Sequence, residues 1–99
     1  MVIEVNEKYF NLLYAKAKEK CFECINHEGN EHLEHEAGIQ LNSILLRETT
    51  IKIIFRQENI HEYLLEINLF LYDCDNEIGK YSYTESMTGE SIDDSLVFY

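Results

Sequence analysis

The chain of 99 residues carries 45% hydrophobic and 12% aromatic side chains, which is enough for one packed core and excludes both intrinsic disorder and a second domain. Its 8 basic and 19 acidic residues give a formal net charge of -11 at pH 7. A field of that sign argues against direct binding to nucleic acid or to an anionic membrane. The length predicts a single domain over residues 1–99.

The acidic excess is concentrated in the second half of the chain. Residues 1–57 contain nine acids and seven bases, whereas residues 58–99 contain ten acids and a single base, Lys80. The N-terminus carries Glu4 and Glu7 where an export signal would have a basic flank, and no stretch is apolar enough to span a bilayer. The three cysteines cannot all pair within the chain. These features predict a soluble protein of the reducing cytoplasm.

An amphipathic helix is predicted over residues 6–25. Asn6 is a suitable N-cap, Glu7 lies in the first turn, and Gly29 with Asn30 would end the helix. The apolar residues share one stripe at helical spacing: Phe10, Leu13, Tyr14, Ala17, Cys21, Cys24 and Ile25. The opposite side carries Lys8, Lys16, Glu19 and Glu23.

The next segment, residues 31–47, fits two periods. One set of residues has helical spacing: Leu33, Ala37, Leu41 and Ile44. Another set partly fits the alternation of a strand: Ile39, Leu41 and Leu45. We interpret the segment as a second helix, although Gly38 within it costs about 1 kcal/mol relative to alanine. The alternative, a strand, stays open.

After Glu48 the hydrophobic period changes to two, which is typical of strands with one buried face. Four strands joined by short turns predict an antiparallel meander. The predicted strands cover residues 51–56, 62–71, 78–85 and 92–98, with turns at 57–61, 73–77 and 88–89. The fold class is therefore α+β, with two N-terminal helices packed on one face of a four-stranded antiparallel meander.

The other face of this sheet would be open to a partner. By alternation it carries Glu62, Leu64, Glu66, Asn68, Phe70 and Tyr72, with Tyr81, Tyr83 and Glu85 as neighbours. Aromatic side chains among carboxylates are typical of a protein-binding surface. The predicted partner-binding residues are Glu62, Glu66, Phe70, Tyr72, Asp73, Asp75, Tyr81, Tyr83 and Glu85. The alternative is an ordinary sheet face whose aromatic residues stabilise cross-strand pairs.

Zinc is the first metal to consider. Cys21 and Cys24, followed by His27, His32 and His35, are residue types that bind zinc. Both cysteines lie on the apolar stripe of the predicted helix, where a free cysteine behaves as a small core residue. We therefore predict core cysteines and solvated histidines, with zinc as the alternative.

Other chemical motifs are incomplete. Asp73 and Asp75 superficially resemble a calcium loop, but Ile78 occupies the position where glycine must make the turn. Asp93 and Asp94 are adjacent, so a strand would direct them to opposite faces. No nucleophile elbow, metalloprotease motif or nucleotide-binding loop occurs. We predict no catalytic site, no metal and no cofactor.

Short length, acidic excess and a run of tyrosines together suggest a kind of partner. Tyr63, Tyr72, Tyr81 and Tyr83 fall within the acidic stretch 58–94. In these properties the chain resembles the small acidic immunity proteins that bacteria produce against nuclease toxins, including colicin-type and contact-dependent-inhibition systems. The resemblance implies an inhibitor whose partner is a basic toxin domain.

A second class of function fits the same composition. The domain could be an adaptor or assembly module in which acidity serves solubility. Such a module could form a homodimer through an exposed sheet edge, although neither hypothesis requires a homo-oligomer.

Overall fold

The computed structural model describes residues 6–25 and 44–99, apart from the side chains of Asn59 and Ile60. These residues form one N-terminal helix and a four-stranded antiparallel sheet, so the predicted α+β class and the meander are confirmed. The elements are helix α1 (Glu7–Ile25) and strands β1 (Ile44–Arg56), β2 (Asn59–Asp73), β3 (Asn76–Ser86) and β4 (Ser91–Phe98). The strands lie side by side in chain order.

Helix α1 begins where the sequence predicts. The Asn6 Oδ1 atom accepts a hydrogen bond of 2.7 Å from the amide of Tyr9, which is the contact of an N-cap. The buried residues of the helix all belong to the predicted stripe: Leu13, Ala17, Cys21 and Ile25. The predicted stop at Gly29 and Asn30 lies outside the described residues. Within the described ranges, no helix is both long enough and apolar enough to cross a membrane.

Strand β1 begins at Ile44, so residues 44–47, predicted as the end of a second helix, are extended instead. Ile44 lies opposite Asp73, and the pairing continues along both strands. Because β2 is 15 residues long, these contacts satisfy backbone groups in its C-terminal half. Long-range pairing thus overrides the helical spacing of the segment. Residues 31–43, the remainder of the predicted helix, lie outside the described part of the chain.

The hydrophobic core lies between α1 and one face of the sheet. Strand β2 supplies its centre, with alternate residues fully buried as the period of two predicts. The strand residues of the core are Ile44, Leu65, Ile67, Leu69, Leu71, Tyr81 and Tyr83. The helix packs mainly on β1, β2 and β3, so β4 lies at the margin of the core.

A β-bulge at Ile78 determines which residues of β3 point towards the core and which point to the other side of the sheet. Tyr72 pairs with Glu77, but Leu71 pairs with Gly79, so Ile78 is an extra residue in β3. Every later residue of β3 therefore points to the face opposite the one that strict alternation gives. Three residues predicted on the open face are consequently buried on the core side: Tyr81, Tyr83 and Glu85. Their predicted placement is wrong for this reason.

Candidate protein-binding surface

The sheet face opposite α1 stays accessible in the part of the chain that the structure describes. None of its residues is buried. We call it the open face, and its register is fixed by all three strand pairs. It comprises Leu45, Arg47, Thr50, Lys52, Ile54, Leu64, Glu66, Asn68, Phe70, Tyr72, Glu77, Lys80, Ser82, Thr84, Ser86, Asp93, Ser95 and Val97.

A hydrogen-bonded polar belt crosses the middle of the open face. The Asn68 side chain accepts from Ser82 Oγ at 2.7 Å and donates to Thr50 Oγ1 at 3.0 Å. It also donates to Glu66 Oε2 at 3.2 Å, and Lys52 Nζ lies 3.6 Å from the same oxygen. Because these groups bond to one another, the belt has few donors or acceptors left for a partner. Apolar contact area is left at the two ends of the face.

Charge is balanced on the open face itself. Arg47, Lys52 and Lys80 match Glu66, Glu77 and Asp93 in number. The acidic excess of residues 58–99 therefore lies around the face, in the turns and on β4. The surface differs here from the acidic face that the sequence predicts.

One end of the open face combines apolar and acidic side chains. Tyr72 lies between Leu45 and Glu77 in one cross-strand row, and the turn after it carries Asp75. The Glu77 carboxylate accepts a hydrogen bond from the Tyr99 hydroxyl, and this bond raises the pKa of Tyr99. We call this end the acidic corner. It comprises Leu45, Phe70, Tyr72, Asp75, Glu77, Val97 and Tyr99. Two bases, Arg47 and Lys80, lie in the same cross-strand row as Phe70 and Val97, so the carboxylates are at the outer end of the corner.

The predicted partner-binding residues separate into three groups. Glu66, Phe70 and Tyr72 lie on the open face, as predicted. Asp75 is exposed in the turn after β2, Asp73 is half-buried at the end of that strand, and Glu62 is exposed near its start. The buried group, Tyr81, Tyr83 and Glu85, lies beneath α1 and cannot contact a partner.

Three exposed apolar residues of the corner are not among the predicted partner-binding residues. Leu45 is 64% exposed, Val97 is 41% exposed and Tyr99 is 68% exposed. Leu45 fell within the predicted second helix. Val97 lies between half-buried Leu96 and Phe98 in β4, and strand alternation therefore predicts that it points away from the core. Tyr99 follows the last strand, where no period applies.

The buried polar residues link α1 to the sheet. The Glu85 carboxylate is 3% exposed and accepts hydrogen bonds from Lys16 Nζ at 2.7 Å and from the Tyr83 hydroxyl at 3.3 Å. Lys16 also donates to the carbonyl of Gly89 at 2.9 Å. Lys16, predicted on the side opposite the apolar stripe, is half-buried and connects the helix to β3 and to the turn that follows it. Each group is satisfied, which is the arrangement of a structural link.

The helix cysteines have the environment of core residues. Burial raises the pKa of the Cys21 thiol to about 12, and burial also raises the pKa of Cys24. A protonated thiol is a poor nucleophile and a poor metal ligand. Among the described residues, no cluster of three or more His, Cys, Asp or Glu side chains could hold a metal ion. The histidines of the alternative zinc site, His27, His32 and His35, lie outside the described ranges.

Comparison with known proteins assigns no family. No family model matches the chain, and neither does any curated protein or solved structure. Function is therefore inferred from the geometry and charge of the surface.

Proposed function

We propose that this protein binds and inhibits another protein, and that its partner is a basic domain of the kind found in nuclease toxins. The observation that carries the proposal is the acidic corner, where half-buried Tyr72 and exposed Tyr99 lie beside the Glu77 carboxylate and exposed Val97 lies in the next cross-strand row. Aromatic side chains bring a large contact area at a small entropic cost. Carboxylates at the rim of such an area attract a basic surface.

The distribution of charge supports steering of a basic partner. The open face is balanced, so attraction arises from the carboxylates around it and from the formal net charge of -11. Rim charges of this kind act chiefly on the rate of encounter, which they raise by about 10 to 1000-fold at low salt. The apolar residues of the corner would then slow dissociation.

A homodimer through a sheet edge fits the charges less well. The outer strand β4 carries Asp93 and Asp94, whereas β1 carries Arg47, Lys52 and Arg56 against the single acid Glu48. A two-fold pairing of either edge with itself brings like charges into one short interface, which destabilises it. Charges on edge strands also protect sheets against such pairing. We therefore favour binding to a different protein.

The test is protection of cells from a toxin. If the protein is an immunity-type inhibitor, the gene immediately upstream encodes a large protein with a basic C-terminal domain. Production of that domain alone should stop growth, and production of this chain with it should restore growth. A basic upstream domain that is toxic but is neither bound nor neutralised by this chain would contradict the proposal.

Charge reversal then locates the binding surface. Asp75→Lys combined with Glu77→Lys should abolish protection, because both side chains are exposed at the corner. Glu19→Lys combined with Glu58→Lys makes the same change in net charge at exposed positions elsewhere, and should leave protection intact. Equal loss of protection in both double variants would show that net charge alone matters and that the corner does not.

A further inference from the structure

Strand β4 forms one edge of the sheet, and no other described strand pairs with its outer side. The amide of Tyr99 donates to the carbonyl of Ile78 at 2.9 Å, which fixes the phase of the ladder between β3 and β4. In an antiparallel ladder, paired and outward-facing positions alternate. The backbone groups directed away from β3 are therefore those of Asp94, Leu96 and Phe98. They form a row that a further strand can join.

The side chains of β4 divide this edge into two halves. The first half carries Asp93 and Asp94, both exposed, and β4 itself contains no base. The Tyr81 hydroxyl donates to Asp94 Oδ2 at 2.8 Å and so holds that carboxylate in place. The second half carries Leu96 and Phe98, half-buried at the margin of the core, with Val97 on the open face.

The space beside the acidic half stays accessible in the described part of the chain. Helix α1 packs on the other three strands, and a groove lies between its C-terminal half and β4. Lys20 is the base that lines this groove, and its ammonium is 3.6 Å from the carboxylate of Glu23. The helix therefore cancels little of the negative charge of Asp93 and Asp94.

We infer that β4 accepts an extended basic segment of the partner as a fifth, antiparallel strand. Two adjacent basic residues of that segment lie against Asp93 and Asp94, and apolar residues lie against residues 96–98. Backbone hydrogen bonds supply affinity in this mode of recognition, and side chains at alternate positions supply specificity. The inference rests on the proposed function and describes how the partner is recognised. The added strand also makes apolar contacts beside Val97, which belongs to the acidic corner.

Hydrogen exchange of the free protein and of its mixture with a peptide provides the test. The probe is the capped peptide acetyl-Ile-Val-Ile-Thr-Lys-Lys-amide, whose order matches β4 read from Phe98 back to Asp93. In the free protein, the amides of Asp94, Leu96 and Phe98 should exchange faster than those of Asp93, Ser95 and Val97. The peptide should slow exchange at the first set, because those amides then donate to the added strand.

Two comparisons test the role of charge. A peptide with Glu-Glu in place of Lys-Lys should give no protection. Asp93→Asn with Asp94→Asn should weaken binding of the basic peptide by about 3 to 10-fold, since each exposed ion pair contributes less than about 1 kcal/mol. The asparagine at position 94 keeps an acceptor for Tyr81. Glu19→Gln with Glu58→Gln removes the same charge elsewhere and should leave the affinity unchanged.

Three results would overturn the strand addition. One is protection by the peptide at β1 instead of β4. Another is protection of the β4 amides in the absence of peptide as protein concentration rises, which would indicate pairing between copies of this chain. The third is association with the upstream-encoded basic domain that depends on Asp75 and Glu77 but leaves exchange at Asp94, Leu96 and Phe98 unchanged. In that case the proposed function stands and the fifth strand does not.

Discussion

Lys16 connects the helix to the far end of β3. Its ammonium is 2.7 Å from the Glu85 carboxylate, and it lies 5.8 Å from the centre of the Tyr83 ring. The Glu85 side chain is 4% exposed, whereas the Lys16 side chain is 37% exposed. Loss of the ammonium leaves a buried carboxylate without its ion-pair partner, and that residual cost exceeds the net value of the pair. The position of α1 on the sheet therefore depends on this side chain.

Substitution of Lys16 should show how much this side chain contributes to the free energy of unfolding. We expect Lys16→Met to lower the free energy of unfolding by about 1 to 3 kcal/mol, because Glu85 loses its strongest hydrogen bond while it stays buried. Lys18→Met is the matched control, since Lys18 pairs with Glu48 at 3.2 Å in an exposed position. The control should cost less than about 1 kcal/mol. Urea unfolding measures both, and equal losses would contradict the structural role of Lys16.

Alkaline pH should weaken the fold through two side chains. Burial, together with the hydrogen bond to Asp94, raises the pKa of Tyr81 above its ordinary 10.0. The hydrogen bond to Glu85 raises the pKa of Lys16 above 10.5. Since both pKa values are higher in the folded chain than in the unfolded chain, protonation stabilises the fold fully below pH 10.0. That contribution is lost as the pH rises through the raised values.

Unfolding measurements over this range separate the contribution of Tyr81. We expect the free energy of unfolding to fall as the pH rises above about 10. Tyr81→Phe should cost about 1 kcal/mol at neutral pH, because it removes the hydrogen bond to Asp94, and should make the alkaline fall less steep. An identical slope in Tyr81→Phe would show that this hydroxyl does not titrate with unfolding.

Among the elements, α1 and β2 could be predicted from the sequence because each has one unbroken period. The Asn6 cap and the apolar stripe define the helix, and the odd-numbered residues from Leu65 to Leu71 define the core of the sheet. β3 could not be assigned to a face in the same way. The single extra residue Ile78 reverses its alternation, and the register that shows the bulge arises from pairing with β2.

The start of β1 also depends on pairing with another strand, which the local sequence does not show. Local spacing around Ile44 permits a helix, and the pairing of Ile44 with Asp73 in a 15-residue partner strand makes it extended. Leu45 was missed as a surface residue for this reason. The candidate site could thus be predicted where it depends on β2, at Glu66, Phe70 and Tyr72, and not where it depends on neighbouring strands.

Gly79 lies where β3 and β4 approach most closely. A Cβ atom at this position would clash with the backbone carbonyl of Val97, which cannot move without shifting β4. We expect Gly79→Ala to lower the free energy of unfolding by about 1 to 3 kcal/mol through this overpacking. Gly89→Ala is not a suitable control, because Gly89 has a φ of 90°.

Lys80→Ala serves as the control in the same strand, since Lys80 is exposed on the open face. Hydrogen exchange should show that Gly79→Ala loosens the amides of β4 more than those of β2. Equal loosening of both strands would contradict the close contact between Gly79 and Val97.

The whole molecule combines a balanced open face with an acidic rim. Net charge and its position along the chain could be counted from the sequence, but its location in space depends on register and on the turns. Lys52 from the first half of the chain pairs with Glu66 near the centre of the face, and Arg47 lies opposite Phe70 at the acidic corner. The carboxylates that lie outside this balance include Asp75 in the turn after β2 and Asp94 on the core side of β4.

The central claim is that the carboxylates around the open face attract a basic partner to the acidic corner. The most direct measurement is the affinity for the upstream-encoded basic domain as a function of salt, for the natural chain and for Asp75→Lys with Glu77→Lys. We expect the affinity of the natural chain to fall as salt rises, and the double variant to bind about 10 to 100-fold more weakly at low salt. Affinity that is independent of salt and equal in the two proteins would contradict the account.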